Sequence, residues 1–219
     1  MASKKNITAE NIIELYMDEV LMEAHASKSV YAFSKKNNFE ENQFYQFFSD
    51  FEALEKHIFA VFCTKTIELL LKNDDYKTYD TKSKLLSFYY TFFELLTANR
   101  SYVHLKLKGN KNKLESLKQL SSLRTAFIAF VSKEIHTDNM DFKNKTINKI
   151  QDKTVTEAAW LHLLFTLQFW LEDSSENFEK TDIFIEKSVK ASFDLRDLTP
   201  LQSVFDFAKF LWKEKKPTV

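Results

Sequence analysis

In 219 residues this chain has one glycine, Gly109, and two prolines, Pro200 and Pro217. Sheets need such residues at their turns, where the backbone must reverse or take a positive φ. A chain this poor in both is predicted to be all-α, with its helices joined by polar loops. Twenty-two phenylalanines and a hydrophobic share of 44% supply enough apolar surface for a sizeable core, which excludes a disordered chain.

Helical spacing predicts nine or ten helices and no strand. A first helix from about Thr8, its N-cap, carries Ile12, Ile13, Tyr16, Met17, Val20 and Leu21 on one face. A second starts at Ser29, with Val30 and Phe33 inward. Lys36–Asn42 is a tight turn in which Asn38 takes a left-handed conformation. A third helix covers about Glu41–Phe47. Ser49 and Glu52 then read as the capping box of a long helix to about Leu71. Further helices are expected over about Thr81–Thr97, Tyr102–Leu107, Lys113–Ile135, Asn148–Leu171 and Thr181–Phe193. A last one opens at Thr199-Pro200-Leu201-Gln202, with Leu201, Val204, Phe205, Ala208, Leu211 and Trp212 on its apolar face.

Three short helices, a tight turn and a long connecting helix outline a helix-turn-helix module. The residues carry this further. Ser29-Val30 caps the second helix, Phe33-Ser34 stands where Ile-Ala is usual, and Asn38-Phe39 where Gly-Val is usual. Phe44-Tyr45-Gln46-Phe47-Phe48 fits Leu-Tyr-X-X-Phe, and Glu52-Ala53-Leu54 fits Glu-X-Leu. Over Thr8–Phe59 the chain thus resembles the TetR-type transcriptional regulators. The stretch FWLEDSSENFEKTDIFIEKSVKASFDL is also similar to a sub-group of TetR-like C-terminal domains.

The resemblance implies a DNA-binding domain over residues 1–50 and a ligand-binding, dimerising helical domain over 51–219. It implies that Phe44, Phe47 and Phe48 are packing, while Lys28, Ser29, Lys35, Lys36, Glu41, Asn42, Gln43, Tyr45 and Gln46 engage double-stranded operator DNA. It also implies a homodimer, with Phe184, Val189, Phe193, Phe205 and Trp212 as candidate contacts, and a small apolar ligand or lipid between the central helices. Ser87, Thr91 and Glu94 fall at i, i+4, i+7 in one apolar helix. His162 and Thr166 fall four apart in another, with Phe169 beyond them. These polar seams read either as the orienting groups of an apolar pocket or as exposed and internally satisfied positions.

Charge departs from the family pattern. Residues 1–60 hold six lysines against ten acids, Glu40 and Glu41 occupy the start of the third helix, and Phe51 stands where lysine is common. DNA binders of this kind neutralise about six to ten phosphates. A TetR-like fold serving as a lipid- or ligand-binding accessory protein without DNA binding is therefore the alternative expectation.

Nothing in the sequence spells an enzyme. The five histidines are scattered, without HExxH or Cys/His spacing, and one glycine cannot build a phosphate loop. No cofactor or metal is expected. The single Cys63 reads as a buried, inert thiol in a reducing compartment. Without an apolar leader, and with apolar runs of about twelve residues where a span needs about twenty, the expectation is a cytoplasmic protein with no transmembrane segment. Formal net charge is zero, so no global field draws the chain to nucleic acid or membrane.

Overall fold

The computed structural model describes residues 7–23, 25–108, 113–135 and 145–197. Ten α-helices, and no strand, occur among them: α1 (Ala9–Glu23), α2 (Val30–Lys36), α3 (Glu41–Phe44), α4 (Phe51–Lys72), α5 (Thr81–Ala98), α6 (Arg100–Lys108), α7 (Lys113–Gln119), α8 (Ser121–Phe130), α9 (Lys145–Glu172) and α10 (Glu179–Asp197). The expected last helix from Thr199, with Phe205 and Trp212, lies outside the described residues, as do Lys4 and Lys5.

With so little glycine, local stops fall to asparagine and to polar caps. Thr8 Oγ1 accepts from the Asn11 amide at 3.2 Å and so caps α1, as its sequence position predicts. Asn38 takes φ 59° in the turn between α2 and α3, a conformation asparagine tolerates better than most residues. The cap of α4 is not Ser49. Asp50 is fully extended and its carboxylate accepts from the Ala53 amide at 2.7 Å, while Ser49 only donates to Asp50 at 3.1 Å. An ionised oxygen is the stronger acceptor, and it takes the cap. α3 stops at Phe44, short of Phe47, and the chain continues as a turn. The single helix expected over Lys113–Ile135 is divided at Leu120 into α7 and α8, and α8 runs on into a π-helical turn, Val131–Ile135. At the division Leu120 has ψ 5° and is buried; the bend turns Gln119 inward while α8 packs along α4.

The head, α1–α3, is built around Phe33, which is fully buried. Its ring meets Tyr16, Phe39, Phe44 and Phe51 edge-on, at centroid distances of 5.6–6.3 Å. Phe44 and Phe48 are buried beside it; Phe47 is not. The expectation that all three pack inward therefore fails at Phe47, because a short α3 followed by a turn rotates alternate rings out of the core.

The body is organised around α5, against which α4 and α10 pack. Phe88 stacks on Phe130 at 4.5 Å, and Phe93 meets Trp170 at 6.1 Å. One clasp closes the end of α9. Arg100 donates to the carbonyls of Trp170 and Asp173, at 3.1 and 3.2 Å, and its guanidinium lies 4.5 Å from the Trp170 ring and 4.4 Å from that of Phe178. Asp173 accepts from the amides and hydroxyls of Ser175 and Thr181. Burial alone would raise this carboxyl, but those four hydrogen bonds lower it to about 2. The clasp sits where Asn177 and Phe178 take φ of 50° and 59°. For phenylalanine that conformation is costly, and the guanidinium stacked on its ring helps to hold it. Cys63 is fully buried, and burial pushes its thiol up to about 12, so it is inert as expected.

Because Phe33 is the one ring shared by all parts of the head, Phe33→Ala is expected to destabilise it by about 3–5 kcal/mol. Urea titration read by head-specific NMR signals checks this, the signals of α5 and α8 persisting to higher denaturant.

Candidate functional site

The side chains expected to contact DNA lie on or beside α2 and α3. Ser29 has extended backbone and its hydroxyl caps α2, accepting from the Ala32 amide at 3.1 Å. Asn42 and Gln46 are exposed. Gln43 is half-buried, and its Oε1 accepts from the Glu40 amide at 3.0 Å, so this side chain serves the start of α3. Tyr45 is exposed, and its hydroxyl donates to the Glu41 carboxylate at 3.1 Å. Lys28 and Lys35 are exposed, Lys35 Nζ lying 5.6 Å from the centre of the Tyr31 ring.

Lys36 is engaged elsewhere. Its ammonium lies 3.1 Å from Glu19 Oε2 and is also bonded to Glu23, both on α1. Burial alone would raise the Glu19 carboxyl; hydrogen bonds from Ser27 and Lys36 overcome this and lower it. Lys36 thus fastens α2 to α1. Sequence reasoning could not see this, because the acids lie thirteen and seventeen positions away. One exposed aromatic was missed altogether, Tyr31 at the start of α2, and Phe47, after α3, was assigned to packing. An aromatic residue beside a basic one on a short capped helix was the available signal for Tyr31.

Behind the head, four elements meet at Glu55 of α4. Tyr16 of α1 donates to Glu55 Oε1, Lys106 of α6 lies 2.5 Å from the same oxygen, and Gln119 of α7 donates to Oε2 at 2.8 Å. Lys106 Nζ also lies 5.3 Å from the Tyr16 ring centre. Burial, and then the Glu55 carboxylate, raise the Tyr16 phenol far above its usual range, so it stays a donor. Head and body are joined here by a shielded charge pair, not by apolar contact alone.

The two polar seams do not face one another. Glu94 is exposed, and Ser87 and Thr91 are half-buried. The α5 residue that reaches His162 is Tyr89, whose hydroxyl lies 2.6 Å from Nδ1; on the other side Nε2 lies 2.8 Å from Ser188 Oγ of α10. Ser188 donates to the Ile185 carbonyl at 3.3 Å. A carbonyl only accepts, so the serine oxygen accepts from Nε2–H, and Nδ1 accepts from Tyr89. Burial keeps Tyr89 protonated and lowers the His162 pKa. Thr166 is buried and donates to the His162 carbonyl at 2.8 Å. The apolar positions between these helices, Phe88, Phe93, Leu163 and Trp170, are buried core.

Phe169 lies outside that core. It stacks on Phe184 at 4.6 Å and, with Ile183 and the aliphatic stems of Lys180 and Lys187, lines an open groove of about 470 Å³ between α9 and α10. Leu161 and Phe165, at i−8 and i−4 from Phe169, extend this apolar stripe, Phe165 with 65% of its surface exposed. Val189, expected at a dimer contact, is instead fully buried within the protomer, because it faces the core side of α10. Among the described residues no group of three or more His, Cys, Asp or Glu could hold a metal ion, and no helix is long and apolar enough to cross a membrane.

The profile of a family described as "Tetracyclin repressor-like, C-terminal domain" matches residues 84–211, more than half of the chain. The chain belongs to the TetR family. No curated protein matches it significantly. The match runs from within α5 through α10, so the TetR assignment rests on the body, whereas the sequence resemblance rested chiefly on the head and on one stretch of the body.

Two outcomes follow for this TetR-family protein. Glu55→Ala leaves the Lys106 charge shielded and unpaired, and is expected to cost up to about 3 kcal/mol, read by chemical denaturation. His162 carries a pH signature. Its folded pKa lies below the unfolded value of about 6.5, so the unfolded chain takes the proton first as pH falls. The stability given by neutral His162 is whole above about pH 6.5 and is lost as pH falls below it. His104 is likewise lowered, by burial, Lys108 and Arg100. Melting temperature should therefore fall from pH 7 to pH 5, less steeply in His162→Gln than in wild type, with His104→Gln as the control.

Proposed function

We propose that this protein is a cytoplasmic, homodimeric transcriptional regulator of the TetR type and not an enzyme. Residues 1–50 bind operator DNA, and residues 51–219 pair with a second copy and respond to a small apolar ligand. The observation that carries this reading is the outward-facing Tyr45–Gln46 corner, set on buried Phe44 and Phe48, in a chain whose body has the family's C-terminal domain. Tyr45 and Gln46 supply phosphate hydrogen bonds, and Asn42, with Glu41 as an acceptor for a cytosine amino group, reaches base edges.

The Leu161–Phe165–Phe169 stripe of α9, with Ile183 of α10, suits the dimer contact. These large apolar side chains are exposed in one protomer, and two-fold pairing would cover them on both copies at once. The Glu55 node supports the coupling step. A ligand that shifts α6 or α7 moves Lys106 or Gln119, and Glu55 passes the change to α4 and, through Tyr16, to α1.

A second reading, a TetR-fold protein that binds lipid or another apolar ligand and no DNA, is favoured by Glu40 and Glu41 at α3 and by the engagement of Lys36 with α1. The two separate in one experiment: the purified protein is titrated with duplex DNA from upstream of its gene at rising salt. The regulator reading expects binding that survives about 150 mM salt. The Tyr45→Ala/Gln46→Ala double variant should then bind at least about 100-fold more weakly, since each of the four hydrogen bonds lost per dimer is worth about 1.5–3 kcal/mol, with its melting temperature little changed. No binding at low salt, together with a lipid recovered by organic extraction and mass spectrometry, would establish the second reading instead.

A further inference from the structure

If the head binds DNA, its charge poses a problem. The cations on α2, α3 and their flanks are Lys28, Lys35 and Lys36, and Lys36 is held by Glu19 and Glu23. Two lysines per head, or four per dimer, give a salt dependence of about −0.9 per contact, hence a slope near −4. That is less than the six to ten contacts such complexes commonly make. The head must obtain its affinity from something other than counterion release.

What it exposes is aromatic. Tyr31 is 56% exposed, Tyr45 52% and Phe47 43%. Phe47 is the most informative of the three, because its ring has no hydrogen-bonding group and Phe44 and Phe48, on either side, are buried. The Phe47 ring packs only partly, against Phe48 at 6.4 Å, and the apolar area left exposed forgoes about 25 cal/mol per Å² of burial. Tyr31 stands at the N-terminal turn of α2, beside the Ser29 cap and under Lys35. In a helix-turn-helix the helix before the turn crosses the DNA backbone and the helix after it enters the major groove. Tyr31 lies in the first turn of α2, and Phe47 in the turn that directly follows α3.

We propose that Tyr31 and Phe47 are DNA-contacting residues of this head, packing on deoxyribose and on thymine methyl groups at the rim of the major groove. Their contribution does not depend on salt, and it offsets the scarcity of phosphate-neutralising charge. This rests on the DNA-binding reading above and adds to it which residues carry affinity and which base feature they favour. Apolar contact with the thymine methyl is an established mode of base reading, and ring contact with sugar adds area without sequence information.

The test uses the full-length protein and a duplex selected by it from a random-sequence pool. Affinity is measured from 50 to 300 mM KCl, in a Lys4→Gln/Lys5→Gln background so that the slope reports the described head. The expected slope is about −4, roughly a 10²-fold loss between 50 and 200 mM. Phe47→Ala and Tyr31→Ala should each weaken binding about tenfold at every salt concentration with an unchanged slope. Lys35→Ala should flatten the slope by about 2, one contact in each protomer. Replacing thymine by uracil in the selected duplex should weaken wild type more than Phe47→Ala. A slope of −6 or steeper, or a Phe47→Ala variant that binds like wild type, overturns the proposal and leaves the DNA-binding reading standing. Failure to select any duplex at 50 mM overturns both, and then the exposed rings face a protein. Both positions are surface ones, so unchanged melting temperatures verify that the variants fold.

Discussion

The fold depends at one point on a single carboxylate. Glu55 draws Tyr16 from α1, Lys106 from α6 and Gln119 from α7 onto α4. Among the described residues, little else ties so many elements together through so few atoms. A shielded ion pair of this kind adds little net stability over an apolar replacement, because desolvation consumes most of the Coulombic gain. What it adds is direction. Apolar side chains tolerate sliding, whereas a carboxylate with three donors from three helices has one satisfactory arrangement. The node therefore fixes how the head sits on the body, and it would transmit a shift of either one to the other.

The fold was legible in the sequence wherever local rules decide it. The scarcity of glycine and proline pointed to the class, Thr8 and Asn38 to a cap and a left-handed turn, and apolar spacing located α4, α5, α9 and α10 to within a few residues. It failed where two local candidates competed. Ser49 and Asp50 were both plausible caps, and the carboxylate won. It failed again at Leu120, where no breaker residue stands, because that bend is set by long-range demands: Gln119 must reach Glu55 while α8 follows α4.

The candidate site was less legible, for a related reason. Position along the chain placed Tyr45 and Gln46 outside and Phe44 inside, but it could not show that Lys36 is held by α1 or that Phe47 turns outward. Both depend on how α1 crosses α2 and on where α3 ends. In the body, periodicity picked out His162 as a polar group among rings, yet could not name Tyr89 and Ser188 as its neighbours. One face of a helix covers two or three partner helices, and period alone does not say which of them lies opposite. Tyr89 was hidden among the aromatics of α5 because its hydroxyl is invisible to a hydrophobic count.

The charge of the head and the aromatic surface it exposes belong to one design problem. A head bearing Glu40 and Glu41 cannot gain much from long-range attraction to a polyanion, so, if it reads DNA as proposed, non-specific binding should be weak. Weak non-specific binding is not a defect in a regulator, since competing genomic sites set the fraction of protein at its operator. Affinity built from short-range ring contacts and hydrogen bonds falls sharply when the sequence is wrong, whereas affinity built from phosphates does not. If the head binds DNA as proposed, the acids at α3 trade total affinity for discrimination, and exposed rings at Tyr31 and Phe47 are the kind of contact that such a trade requires.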